Sequence, residues 1–420
     1  MPRVFSDVLT DGVASGGAAV APEVKLRLLP RPNRKTVLFV TNTGEYGGAE
    51  KHLVELIRRL CRSGNKISVL CIDADLYTER LSADELANIN IRRNQRIKGW
   101  GLKLFWEWFR EFRHIRPDVV VFVRAWLWCY PWYVPLAAWL AGIARRFSIG
   151  HLVPPPILPT TESNVLHSHI VRVRRAGHLL ALKLSVAFQD GIICVSNAIR
   201  DPLIREFKFP EHKVMTIHNG VSLSHYDPSE NNRLPLRARL GIGPDEVLLV
   251  CPARLNEQKR IDLLLLAMAK VVGDGLRCKC VIVGDGPLKK VLTDQMLALD
   301  LSRSVMFEGF QNDVRPYLWA ADAFVLTSDV EGLPLSILEA MASSLACVVT
   351  NVGGNAEAVV HEVTGLVVPS GSVDAIAGAI AYLVTHPRER AEMSKAARAR
   401  AVETFNIDQT MASIERVLLD

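Results

Sequence analysis

The stretch "FVLTSDVEGLPLSILEAMASSLACVVTNV", residues 324–352, decides the fold. It begins with a short apolar run, passes through a glycine–proline turn, and continues with Leu335, Ile337, Leu338 and Met341 at helical spacing. It then ends in a second apolar run. A strand, a helix and a strand in so few residues form the unit of a parallel sheet covered by helices. Pro334 is expected as the first helical residue, because its ring already holds the helical φ. Glu331 follows the first strand by two residues, and Glu339 lies two turns further into the helix.

The same alternation runs outward in both directions. The second half gives strands at "VLLVCP" (247–252), "KCVIVGDG" (279–286), "SVMFEGF" (304–310), "FVLTSD" (324–329), "ACVVTNV" (346–352) and "GLVVP" (365–369). The first half gives "TVLFVTN" (36–42), "KISVLCID" (66–73), "DVVVFV" (118–123), "RFSIGH" (146–151), "GIICVS" (191–196) and "VMTIHNGV" (214–221), with helices at 48–62 and 178–188. The polar, turn-rich stretch 222–246 reads as a linker. A chain of 420 residues is too long for one ordinary core, so two doubly wound α/β domains are expected. Their expected limits are a mobile leader at 1–33, a first domain at 34–225 and a second at 226–400. A C-terminal helix at 401–420 is expected to pack back toward the first domain.

In open parallel sheets, ligands bind outside the carboxyl ends of the strands. Glu331 sits on that rim, and Gly332 lets a ligand approach the backbone. The free amides of the helix start form a phosphate cradle. Arg254 and Lys259, in "VLLVCPARLNEQKRID", reach the same rim from another strand, and suit a diphosphate through fork and point-charge contacts. A carboxylate at Glu339 could accept hydrogen bonds from a ribose diol. "VGDGP" (283–287) and "NVGGNAE" (351–357) add glycine turns at strand ends.

These elements together, "RLNEQKRIDLLLLA", "VGDGP" and "EGLPLSILEAMA…VVTNVGGNAEAV", resemble the signature of retaining glycosyltransferases of the GT-B fold, the group 1 or family 4 class. The resemblance spans residues 36–420 and is densest in the second domain. In the first domain, "GEYGGAEKHL" (44–53) resembles the family's glycine loop and "HNGV" (218–221) its Asn-Gly-Val motif. The resemblance implies that Arg254 and Lys259 bind the donor diphosphate, Glu331 lies beside the transferred sugar, and Glu339 holds the ribose. It implies that Gly332, Leu333 and Pro334 line the donor site, and that Gly47 and Gly48 close over the phosphates. His151 resembles the cleft histidine near the anomeric centre, while Ser196 and Arg200 echo a further family element.

The implied activity is hexosyl transfer, with retention and without a metal or cofactor, from a UDP- or GDP-linked sugar. The acceptor would be a glycan, a lipid-linked molecule or another envelope precursor in polysaccharide biosynthesis. A nucleotide-sugar epimerase of the same fold, or a non-catalytic sugar-nucleotide-binding subunit, are the alternatives. A nicotinamide dehydrogenase fits poorly, since Gly44, Gly47 and Gly48 do not give Gly-x-Gly-x-x-Gly. The Asp-x-Asp at Asp73–Asp75 follows a first-domain strand and reads as a strand-end turn.

Charge is divided unevenly. Residues 1–230 hold 31 of the 50 Lys and Arg but 21 of the 44 Asp and Glu, so the first half is basic and the second mildly acidic. No nucleic-acid motif accompanies this excess. Seven of the eight tryptophans fall between 100 and 139. With the basic half they suggest an interfacial patch on an anionic membrane. Pro131 and Pro135 interrupt the uncharged run 125–144, which argues against a span. The eight cysteines are scattered through apolar runs and read as reduced thiols. The expected location is cytoplasmic, with peripheral association at the inner face of the membrane.

Overall fold

The computed structural model describes residues 34–43, 47–94, 101–124, 131–152, 177, 179–228 and 230–420. The expected leader lies outside them. The first domain carries seven strands: β1 (Thr36–Thr41), β2 (Lys66–Cys71), β3 (Ile89–Arg93), β4 (Val119–Arg124), β5 (Arg145–Gly150), β6 (Gly191–Cys194) and β7 (Val214–Thr216). The second carries six: β8 (Val247–Pro252), β9 (Cys278–Val283), β10 (Val305–Phe307), β11 (Ala323–Leu326), β12 (Ala346–Thr350) and β13 (Gly365–Val368).

The first sheet runs β3-β2-β1-β4-β5-β6-β7 and the second β10-β9-β8-β11-β12-β13. The described pairings are all parallel, as two doubly wound sheets require. Their central strands are buried along nearly their whole length, which explains the continuous apolar runs. Alternate residues serve opposite faces of the first sheet. Val37 and Phe39 join Leu53, Leu56 and Ile57 of the Gly48–Arg62 helix on one face. Leu38 and Val40 join Trp108 and Phe112 of the Leu102–Ile115 helix, and Val134 and Ala137 of the Tyr133–Leu140 helix, on the other.

Three features depart from the sequence reading. β3 is an edge strand with exposed or half-buried Asn90, Arg92 and Arg93, so it lacks the apolar run of its neighbours. The stretch 222–246 contains the Glu230–Arg239 helix. That helix docks by charge: Arg233 and Arg237 bind the two oxygens of Asp322 at 2.5 and 2.8 Å. The C-terminal helix breaks at Phe405–Asn406, after Pro387–Thr404 and before Ile407–Leu419.

At that break the chain meets the first domain. Val221 N–H donates to the Phe405 carbonyl at 2.8 Å, and Ile407 N–H donates to the Val221 carbonyl at 3.1 Å. Arg59 of the Gly48–Arg62 helix pairs with Glu415 at 2.9 Å, and Arg145 donates to the Val417 carbonyl. A Cβ at Gly220 would lie 2.6 Å from Ile407 Cα, so only glycine lets the two segments cross.

Candidate active site

Strand order in the second sheet reverses between β8 and β11, which opens a crevice at their carboxyl ends. Two loops enter it. The loop after β8 exposes Arg254 and turns through Glu257–Lys259, where the Asn256 side chain accepts from Lys259 N–H. Thr327 after β11 donates to the Lys259 carbonyl at 3.1 Å, tying the two loops together. Lys259 Nζ then reaches Glu331 Oε1 at 2.5 Å. The Glu331 side chain is only 5% exposed, so its charge needs this partner.

Beyond Glu331 the backbone bends at Gly332 and Leu333 and is extended at Pro334. Pro334 has φ −65° and ψ 129° and stands as the N-cap, so the helix starts at Leu335 and not at the proline. Asn219 of the first domain fixes that approach by donating from Nδ2 to the buried Leu333 carbonyl at 2.7 Å. Pro334 supplies no side-chain acceptor to the first turn of the Leu335–Ala342 helix. The turn's amides thus keep the character of an anion cradle.

Gly332 meets the first domain directly. A Cβ there would lie 1.7 Å from the His151 carbonyl oxygen. From below, Gly354 N–H donates to the Gly332 carbonyl at 2.6 Å. Gly353, at φ 51°, lies so close that a Cβ would stand 1.9 Å from the Glu331 carbonyl.

The first domain supplies the opposite wall. Gly47 caps the Gly48–Arg62 helix, and its N–H donates to Glu50 Oε2 at 2.9 Å. A Cβ on Gly48 would make ordinary contact with Leu335 at 3.8 Å, so this helix start faces the other. His151 follows β5, held by its N–H on the Arg124 carbonyl at 3.1 Å. Its ring is buried, its Nε2 has no partner among the described residues, and burial with the nearby His52 ring pushes its pKa down to about 3. His52 lies edge-on to it at 5.4 Å, and burial pushes its own pKa down to about 4. Both imidazoles are neutral at physiological pH.

Glu339 is also buried, and its partner is a residue that sequence reading missed. Lys51, one turn into the Gly48–Arg62 helix, pairs with Glu339 across the cleft and also donates to Tyr226 Oη at 2.9 Å. Burial opposes the charge on Lys51, but Glu339 and Tyr226 more than offset it and raise its pKa.

A second missed cluster joins the domains through Glu357. Its carboxylate accepts from the Asn197 and Ala198 amides at 2.8 and 2.7 Å and lies 2.9 Å from His218 Nε2. Burial pushes Glu357 up, yet His218 and the two amides hold it below the usual carboxylate range. Lys51 and Glu357 lay within quoted motifs, but only the meeting of two domains gives them partners.

Arg200, Asp73 and Asp75 are committed elsewhere. Arg200 pairs with Asp201 and Glu211. Ser196 is the buried N-cap of the Asn197–Arg205 helix and lies against Gly354. Arg93 binds both Asp73 and Asp75. Among the described residues, no group of three or more His, Cys, Asp and Glu could hold a metal ion.

Two family models match the chain. Residues 232–400 match "Glycosyl transferases group 1", and residues 46–225 match "Glycosyltransferase Family 4". The chain belongs to the group 1 glycosyl transferases. It is 31% identical, over 54% of its own length, to UDP-Gal:alpha-D-GlcNAc-diphosphoundecaprenol alpha-1,3-galactosyltransferase of Escherichia coli, of which the match spans 60%. It is 27% identical to an uncharacterized glycosyltransferase of Methanocaldococcus jannaschii, over 79% of this chain and 83% of that one. Among solved structures, Anabaena HepE in complex with UDP superposes with a TM-score of 0.75 at 21% identity, covering 91% of this chain and 99% of that one. That likeness shows the fold, two Rossmann-like domains of the GT-B type.

Proposed function

We propose that this chain is a retaining, metal-independent glycosyltransferase that moves a sugar from a UDP- or GDP-linked donor to a carbohydrate or lipid-linked acceptor. The observation that carries the reading is the joining of two strand ends at the crevice of the second sheet, with Lys259 on Glu331 and Arg254 on the same loop. A departing nucleoside diphosphate needs its growing charge stabilised. Fixed cations and a helix N-terminus do so without reorganising during the reaction.

On this reading the donor diphosphate draws Lys259 partly from Glu331, leaving the carboxylate beside the transferred sugar. The bond from the anomeric carbon to the phosphate oxygen breaks, and the acceptor oxygen bonds that carbon on the same face. The acceptor's proton passes to the departing phosphate oxygen. His151, neutral and with its Nε2 unpaired among the described residues, can hydrogen-bond the sugar without adding charge. Glu339 takes the ribose. The galactosyltransferase relative, named for a UDP-sugar donor and a lipid-diphosphate acceptor, supports both classes of substrate.

A membrane-surface contact belongs to the same proposal. The helices Leu102–Ile115 and Tyr133–Leu140 pack on one face and expose Leu102, Trp106, Trp139 and Leu140. Lys103, Arg110 and Arg113 are exposed on the first of them. Exposed tryptophans among cations suit the headgroup region of an anionic bilayer. No described helix is long and apolar enough to cross a membrane.

The test is a panel of UDP-, GDP- and ADP-sugars, with nucleotide release followed with and without candidate acceptors. Acceptor-dependent release supports transfer. An isomerised sugar identifies an epimerase, and binding without turnover a scaffold. Flotation with anionic vesicles at low salt checks the membrane contact, and protein left wholly in the bottom fraction refutes it.

A further inference from the structure

We propose that Lys51 gates the donor site: it occupies the carboxylate that the donor's ribose must reach, so the ribose hydroxyls must displace it before they can bind. The inference rests on the reading of Glu339 as the ribose carboxylate. Its observation is independent of that reading. Glu339 comes from the second domain and its side chain is 8% exposed, while Lys51 comes from the first and is 41% exposed. The two meet across the cleft, and the same ammonium lies 2.9 Å from Tyr226 Oη and over that ring at 5.4 Å.

This geometry makes the pair releasable. A buried carboxylate cannot be left without a partner, so Glu339 gives up Lys51 only to another hydrogen-bond donor. A vicinal diol offers two, in the positions a carboxylate accepts. Lys51 meanwhile is not stranded. It keeps the Tyr226 hydroxyl and ring, and its exposed side regains water. A single hydroxyl, or none, replaces the ammonium poorly. Lys51 therefore competes with the ribose without touching the nucleotide, and weakens only those nucleotides whose hydroxyls must displace it.

Competition lowers apparent affinity by the fraction of molecules in which the site is free. A pair closed about nine-tenths of the time weakens donor binding roughly tenfold. Titration calorimetry on the full chain tests this with UDP and GDP and with their 2′,3′-dideoxy counterparts. Lys51→Met is expected to tighten binding of the ribonucleotide about tenfold and to leave the dideoxy compound within about twofold. Lys51→Arg should keep wild-type affinity. Lys51→Leu, equally unable to donate to Glu339, should behave as Lys51→Met does, and carries the test if Lys51→Met melts early. Unchanged ribonucleotide affinity in a folded Lys51→Leu overturns the gate. So does an equal loss for both compounds, which would make Lys51 a phosphate ligand or a structural residue. A wild-type protein that binds no nucleoside diphosphate overturns the proposed function itself. Intact wild-type binding with no response to Lys51 sinks the gate alone.

Discussion

Replacing Gly332 with alanine adds one methyl group at the point where the two domains touch. Its carbon would stand 1.7 Å from the His151 carbonyl oxygen and 2.8 Å from the carbonyl carbon. Carbon and carbonyl oxygen approach no closer than roughly 3.3 Å, so one backbone must retreat by about 1.5 Å. Neither has room within its own domain. Gly332 is held by the Gly354 amide at 2.6 Å, with Gly353 packed against the Glu331 carbonyl, and His151 is tied to β4 through Arg124. The displacement must go into separating the rims. A misplacement of about 1 Å in a catalytic constellation costs about 100-fold in rate. Overpacking costs about 1–3 kcal/mol, and much of it can be relieved where two domains can part. Gly332→Ala should therefore lose about 100-fold in kcat/KM for nucleotide release while melting within a few degrees of wild type. A variant within threefold of wild-type kcat/KM would refute the reasoning, because it would show that the His151–Gly332 approach is not needed for turnover.

Lys259→Ala removes the cation on the proposed diphosphate and leaves Glu331 buried without its partner. Nucleotide release should fall at least about 100-fold, with a stability loss of about 1–3 kcal/mol. Unchanged turnover would remove Lys259 from the donor site. Glu339→Ala should weaken ribonucleoside diphosphate binding about tenfold by calorimetry, through the loss of charge-assisted hydrogen bonds. An unaltered donor affinity would count against the ribose assignment. His52 and His151 have folded pKa values of about 4 and about 3, against about 6.5 unfolded. Their neutral burial contributes stability that is complete above about pH 6.5 and drains away as pH falls toward those folded values. Each should lose about 2 kcal/mol between pH 6.5 and pH 5. His52→Gln should reduce the drop in melting temperature between pH 8 and pH 5, and an identical drop would refute its buried neutrality.

What the sequence revealed follows from where each residue gets its partners. Central strands such as TVLFVT, VVVFVR and VLLVCP are buried on both faces, so their apolar runs announce them. INIRR, at the sheet edge, needs no such run and carries no strand signal. The Glu230–Arg239 helix reads as linker in the sequence because arginines dock it on Asp322, and hydrophobic periodicity registers no ionic contact. Pro334 fits a first helical position in isolation. It is the Asn219 contact on the preceding carbonyl, from 114 residues away in the chain, that holds Pro334 extended. Arg254, Lys259 and Glu331 could be assigned to the rim because they follow strand ends, whereas Glu339, inside a helix, is assigned on the resemblance. Lys51 and Glu357 could not, since neither has a partner until the second sheet faces the first.

That last distinction also says how the cleft is held. On the rim, the domains are joined by Lys51 with Glu339, His218 with Glu357, and Asn219 with the Leu333 carbonyl. Each is a polar contact that water can replace, and such contacts contribute only about 0.5–1.5 kcal/mol net, somewhat more where charged. Directly after His218 and Asn219 in the chain, the crossing at Val221, Phe405 and Ile407 is made by backbone bonds, with Phe405, Ile414 and Leu418 fully buried beside it. Opening there would expose apolar surface, which costs about 25 cal/mol for every Å². Separation of the domains is therefore cheapest at these polar contacts and dearest at the chain crossing. A donor that replaces the polar partners one for one can enter without disturbing the apolar packing.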